Sequence, residues 1–201
     1  MPATFRPLLA AATLVAAFAA CDDPNAIEAQ YPVVADTAML YSINSAPVGA
    51  PTAYYLAGAP SRQAAVAANA GFGFDVAVSV LADGSVRLIT PTALAALIPD
   101  PGSAPHPVGL QLLPGVGFDT LSLAPASGYT YDSLLTVTPG QTVAIQSATL
   151  AACPVAYLGR NFHAKMVVDS VRGDPARVYL RAVIDPNCDF RSLKPGTIPT
   201  E

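Results

Sequence analysis

A chain of 201 residues, 52% apolar and with a formal charge of −4, is long enough for one domain with a sizeable core and offers no ground for dividing it into two. Its 20 prolines and 14 glycines, with charged residues at only 12%, suit short strands joined by turns and speak against a helical bundle. No nucleic-acid partner is expected.

Chain order begins with an apolar stretch, residues 8–20, preceded by the single basic Arg6 and ending in small residues. That layout is a secretory signal, and it is shorter than the about 20 residues a membrane span requires. Phe18-Ala19-Ala20-Cys21 resembles the lipobox of bacterial lipoproteins, in which a large apolar residue and two small ones precede the cysteine that is lipidated and becomes the mature N-terminus. The resemblance implies cleavage after residue 20, lipid on Cys21 and a protein held at a membrane of the cell envelope, outside the cytoplasm. Whether that is the inner or the outer membrane stays open, although Asp22 sits where some bacteria read an inner-membrane signal. Ala17-Phe18-Ala19 offers ordinary signal cleavage as the alternative. Lipidation would leave Cys153 and Cys188 as one pair, whereas ordinary secretion would leave an odd thiol. The expected organisation is a signal peptide over 1–20, a lipidated tether over 21–30 and a single domain over 31–201.

Within that domain, residues 31–43 and 52–57 read as strands. Residues 61–69 read as a two-turn helix, with Ser61 as N-cap and Gly71 past the end. The clearest hairpin alternates Phe74, Val76, Val78 and Val80 with Asp75, Ala77 and Ser79, turns at Ala82-Asp83-Gly84, and returns through Val86 and Leu88. Thr90-Pro91 opens a short helix through Leu97, and a proline-rich loop holding His106 follows. Further strands are expected over 109–113, 117–123, 133–137 and 142–147. A long hairpin closes the domain: Phe162, Ala164, Met166 and Val168 face inward against His163, Lys165 and Asp169, and after a turn at 172–175 Val178, Leu180, Ala182 and Ile184 face inward against Arg177, Tyr179, Arg181 and Asp185. The fold class is therefore all-β, an immunoglobulin-like or related antiparallel β-sandwich with one or two short helices.

Charge is uneven along the chain. Nine acids face only Arg62 and Arg87 over residues 22–159, whereas residues 160–194 hold seven bases against four acids. Those bases alternate with apolar residues and are expected on the solvated face of strands. Cys153 and Cys188 flank the long hairpin, so a disulfide would tie its two ends; two free thiols or a metal pair are the alternatives, the latter short of a third and fourth ligand.

No catalytic signature is present: G-x-S-x-G, the P-loop and H-E-x-x-H are all missing. His163, Asp169 and Ser170 lie on one hairpin arm where alternation separates Ser170 from the other two, and His163 reads as a surface histidine. The stretches around Asp119 and Asp132 lack the dense acid spacing of a calcium loop. No metal and no cofactor are expected. Tyr54, Tyr55, Tyr129 and Tyr131 are candidate ligand-stacking residues, with half-buried sheet tyrosines as the plainer alternative. Lys165-Met166-Val167-Val168-Asp169-Ser170-Val171 and Asp185-Pro186-Asn187-Cys188-Asp189-Phe190-Arg191-Ser192-Leu193 are similar to the C-terminal strands of uncharacterised bacterial surface lipoproteins, which implies a shared β fold and no functional residue. The expectation is a non-enzymatic, lipid-anchored envelope protein of structural or interaction role. A glycan or small-ligand binding module is the runner-up, a hydrolase the third reading. An envelope protein or a glycan would be the partner.

Overall fold

The computed structural model describes residues 28–58, 61–66, 72–97, 104–131, 134–148 and 161–200. The signal segment, Cys21 and Cys153 lie outside these residues. In chain order the elements are β1 (Val34–Tyr41), β2 (Ala53–Tyr54), β3 (Gln63–Ala64), β4 (Val76–Val80), β5 (Val86–Ile89), α1 (Pro91–Ala95), β6 (Val108–Leu113), β7 (Leu135–Val137), β8 (Thr142–Ser147), β9 (Phe162–Arg172) and β10 (Arg177–Asp185). Two five-stranded antiparallel sheets form a β-sandwich, the first in the order β1-β10-β9-β8-β6 and the second in the order β3-β2-β4-β5-β7.

Alternation decides what lies between the sheets. Leu40, Val76, Val78, Leu88, Ile145, Met166, Leu180 and Ile184 point into one shared core, as period-two strands with one covered face require. The β4–β5 turn carries Gly84 at φ +81°, the positive φ that its Asp-Gly sequence supplies. Asp83 steadies the turn by accepting from the amide and hydroxyl of Ser85. Thr90 caps α1, its Oγ1 accepting from the Ala93 amide, and Pro91 occupies the first turn.

The outer faces of the sheets are also covered. Ala53, Phe74, Ala77 and Ile89 pack under Ala93 and Leu94 of α1 outside the second sheet. Outside the first sheet, Val183 packs with Val33, Ala124 and Leu193, joined by Phe118 and Leu121. Residues 117–124 and 190–197 therefore form a third layer over β1, β9 and β10. The expected strand over 117–123 does not form. Residues 117–121 coil into turns, with the amides of Thr120 and Leu121 both donating to the Gly117 carbonyl, and only Leu123 makes a β-bridge, to Ser192. The turns bring Phe118 and Leu121 down on the sheet instead of leaving them in alternation.

The expected helix over 61–69 is also corrected where residues are described. Gln63–Ala64 pair with Ala53–Tyr54 as β3, and the Val66 amide donates to Thr52 Oγ1. A two-turn Ala-rich helix is marginal in isolation, whereas β2 offered an unpaired edge close by in sequence. At the C-terminal hairpin, Tyr179 pairs with Ser170 but Leu180 pairs with Val168, which leaves Asp169 as the extra residue of a bulge.

Candidate functional site

The four candidate tyrosines are not brought together. Tyr54 is fully buried in the inter-sheet core, and its hydroxyl donates to Asp36 Oδ2 at 2.6 Å. Burial, reinforced by that carboxylate, raises its pKa far above the ordinary phenol range. Tyr54 is thus a core residue and no platform for a ligand. A two-residue strand in contact with a second sheet buries both of its side chains, which its short apolar run could not reveal. Tyr55 is half-buried beside Gly58 on the far side of β2. Tyr129 and Tyr131 lie instead on the outside of the first sheet, where both rest on Gly109 of β6. Tyr54 and Tyr131 do not share a surface: Tyr54 is buried between the sheets with its hydroxyl on Asp36 of the edge strand β1, whereas Tyr131 lies over Gly109 of the opposite edge strand, β6.

Tyr129 and Tyr131 share a face, as their spacing implies, and there they cover a histidine. The Tyr131 hydroxyl donates to Gln146 Oε1, Gln146 Nε2 donates to His163 Nε2 at 3.2 Å, and His163 Nδ1 donates to the Phe190 carbonyl at 3.0 Å. The Tyr129 ring stands 6.5 Å from the imidazole, centroid to centroid. His163 is buried, not the surface histidine expected from alternation. Its partners assign the neutral imidazole with the proton on Nδ1, and burial lowers its pKa below the ordinary value. Burial likewise pushes the Tyr129 phenol up to about 12.

A second constellation holds a serine, an aspartate and a histidine. Asp75, fully buried, enters β4 with its carboxylate accepting from the Leu56 amide at 2.6 Å, from the Ser147 hydroxyl, and from His106 Nε2 at 2.9 Å. For nucleophilic catalysis the imidazole must stand between the hydroxyl and the carboxylate. Here both Ser147 and His106 address the same carboxylate oxygen, so the cluster is a tie between β4 of one sheet and β8 of the other. His163, Asp169 and Ser170 do not converge either: Asp169 accepts from Arg181 Nε at 3.1 Å, toward the opposite end of β9 from His163.

A groove of about 540 Å³ opens between the first sheet and its outer layer. Ala35, Thr37 and Val183 form its floor, Phe118, Leu121 and Ser122 one wall, and Leu193, Lys194 and Pro195 the other. Lys165 of β9 and Arg181 of β10 reach it from below, each cation lying 4.8 Å from the centre of the Phe118 ring. Lys165 Nζ donates to the carbonyls of Phe118 and Leu121, both at 2.7 Å, and is only 3% exposed. This corrects its expected place on a solvated strand face. Burial lowers its pKa from the ordinary ammonium value, the exposed Asp119 partly opposing that effect. Arg181 by contrast is engaged by Asp169 and, at 3.5 Å, by Asp119.

None of these groove residues was singled out from sequence as a site. The available signal was a lysine interrupting Ala164, Met166, Val167 and Val168, a run apolar enough to mark a strand covered on both faces. Among the described residues, no three His, Cys, Asp or Glu side chains are grouped to hold a metal ion, and no helix is long and apolar enough to cross a membrane. Asp119 is paired with Arg181, and Asp132 lies outside the described residues. Cys188 is disulfide-bonded. The chain matches no protein-family model, no curated protein and no solved structure.

Proposed function

We propose that this is a lipid-anchored protein of the bacterial cell envelope whose β-sandwich acts by binding an envelope component rather than by catalysis. The observation that carries the binding reading is the groove on the outside of the first sheet, about 540 Å³ in volume and within the range of small-molecule sites. It is built from a rigid strand floor and two loop walls, the arrangement in which loops on a scaffold carry recognition. The anchoring reading is supported by Phe18-Ala19-Ala20-Cys21, and by the way the chain enters the domain: the amides of Gln30 and Tyr31 donate to Asn187 Oδ1, so that a tether over residues 21–30 would end on a fixed point. With Cys21 lipidated, the Cys188 disulfide is assigned to Cys153.

Membrane fractionation with affinity capture of the full chain tests both halves. Cys21→Ser is expected to move the protein from the membrane to the soluble fraction, and identical soluble behaviour of wild type and variant would remove the anchor. Thr37→Trp, at an exposed position on the groove floor, is expected to abolish capture of envelope components. Unchanged capture would remove the groove as the binding surface.

A further inference from the structure

We infer that the groove takes an amphiphilic carboxylate, with the acid group seated on Lys165 and the apolar body lying along Leu121, Leu193 and Pro195; this deepens the binding reading above and rests on it. Among the described residues, the Lys165 ammonium has no counterion in contact with it. Lys165 is 3% exposed, and no carboxylate of the described residues lies within 4 Å of its ammonium, since the ion pairs of this face belong to Arg181. Its two carbonyl acceptors, Phe118 and Leu121, satisfy two of three donors but supply no negative charge. Buried cations are ordinarily paired. The other acids of the groove compensate it only in part: Asp36 is turned to the Tyr54 hydroxyl, and Asp119, which acts on Lys165 at a distance, is 83% exposed and held by Arg181.

Arg181 is not the seat, because its guanidinium is already shared between two aspartates. Nor is the Phe118 ring free to stack on a sugar, with a cation 4.8 Å from its centre on behalf of both Lys165 and Arg181. What remains open in the groove is more apolar than polar, with Ser122 and Lys194 on its walls. Beyond Ser122 and Lys194 the groove adjoins a mixed hollow of about 400 Å³, where Leu123 and Ile198 stand 51% and 54% exposed beside Ser192 and Thr197. A carboxylate inside with an apolar chain running out toward Leu123 matches both the charge and the surface.

Calorimetric titration of the full mature protein with decanoate, kept below its micelle concentration, tests this. Butyrate serves as the carboxylate without a chain and octyl glucoside as the amphiphile without a charge. Decanoate is expected to bind roughly ten-fold or more tightly than either. Lys165→Met, which removes the charge and keeps the length, is expected to weaken decanoate by roughly ten-fold or more, because truncating one partner of a desolvated ion pair acts mainly on affinity. Leu123→Asp, at an exposed position that does not endanger folding, is expected to weaken decanoate by about the same factor. No heat with decanoate at millimolar concentration, equal binding of octyl glucoside, or decanoate binding untouched by either variant would each overturn the inference. Should decanoate fail while Thr37→Trp still abolishes capture of envelope components, the ligand class is wrong and the binding reading stands; should both fail, neither survives.

Discussion

Asp75 joins the two sheets through a single carboxylate. It receives the Leu56 amide from one sheet's β2 end, the Ser147 hydroxyl from the other, and His106 from the loop that precedes β6. Removing it would take the carboxylate acceptor from the buried Leu56 amide and break its ties to Ser147 and His106, and a buried donor left without its acceptor costs more than the bond itself contributes. Asp75→Ala is therefore expected to lower stability by about 3–5 kcal/mol, read from urea unfolding; a loss of less than about 1 kcal/mol would show that the tie is not structural. His163 makes a prediction in pH. Its pKa is lowered in the folded state, chiefly by burial, with Arg191 adding to and Asp189 opposing the effect. The unfolded chain then binds the proton more readily, so stability is full above the unfolded value of 6.5 and is lost as pH falls through the folded value. Protonation would also set the new Nε2–H against the Gln146 amide that donates there now. Asp185, whose carboxyl is raised by burial, contributes in the opposite sense over the range above its own unfolded value. The difference between the pH–stability profiles of wild type and His163→Asn isolates the histidine, and an absent difference below pH 6.5 would contradict its buried neutral state.

At the scale of elements, the edge strand β6 depends on a missing side chain. A Cβ on Gly109 would come within 2.8 Å of Tyr129 Cβ and 2.9 Å of the Tyr131 ring, closer than carbon atoms approach. Glycine there lets residues 129–131 lie against β6, where Leu110 and Thr130 exchange both backbone hydrogen bonds at 3.0 Å, and so shields the sheet edge. Gly109→Val is expected to destabilise by about 1–3 kcal/mol and to raise hydrogen exchange at the Leu110 and Thr130 amides. Retained protection at both amides would show that the tyrosines are not supported by this contact. The Tyr131–Gln146–His163 relay would be lost with it, and the His163 pH effect should shrink in the same variant.

For the whole molecule, the disulfide and the covered outer faces matter most. The proposed bridge between Cys153 and Cys188 would close a loop of about 35 residues around β9 and β10, two of the three inner strands of the first sheet, and the chain-entropy contribution of such a loop is about 4 kcal/mol. Cys188→Ser is expected to lower stability by roughly 2–5 kcal/mol and to leave one thiol, at position 153, open to alkylation in the denatured mature protein. Labelling at a second position would refute the assigned pairing. Length, turn chemistry and strict period-two alternation determined the sandwich from sequence, because these are local signals: the β4–β5 hairpin, α1 with its Thr90-Pro91 start, and the β9–β10 hairpin stand where the residues alone put them. The proposed lipobox, Phe18-Ala19-Ala20-Cys21, rests on the same kind of contiguous pattern. What only the tertiary structure decided is which second face of each strand is covered. Gln63–Ala64 became a strand because β2 presented an edge, residues 117–121 coiled because Phe118 and Leu121 had a sheet to cover, and Lys165 and His163 lost their solvent because residues far away in sequence folded over them. Burial by a distant segment leaves no periodic trace, so the groove, its unpaired ammonium and the tie at Asp75 emerged only with the fold.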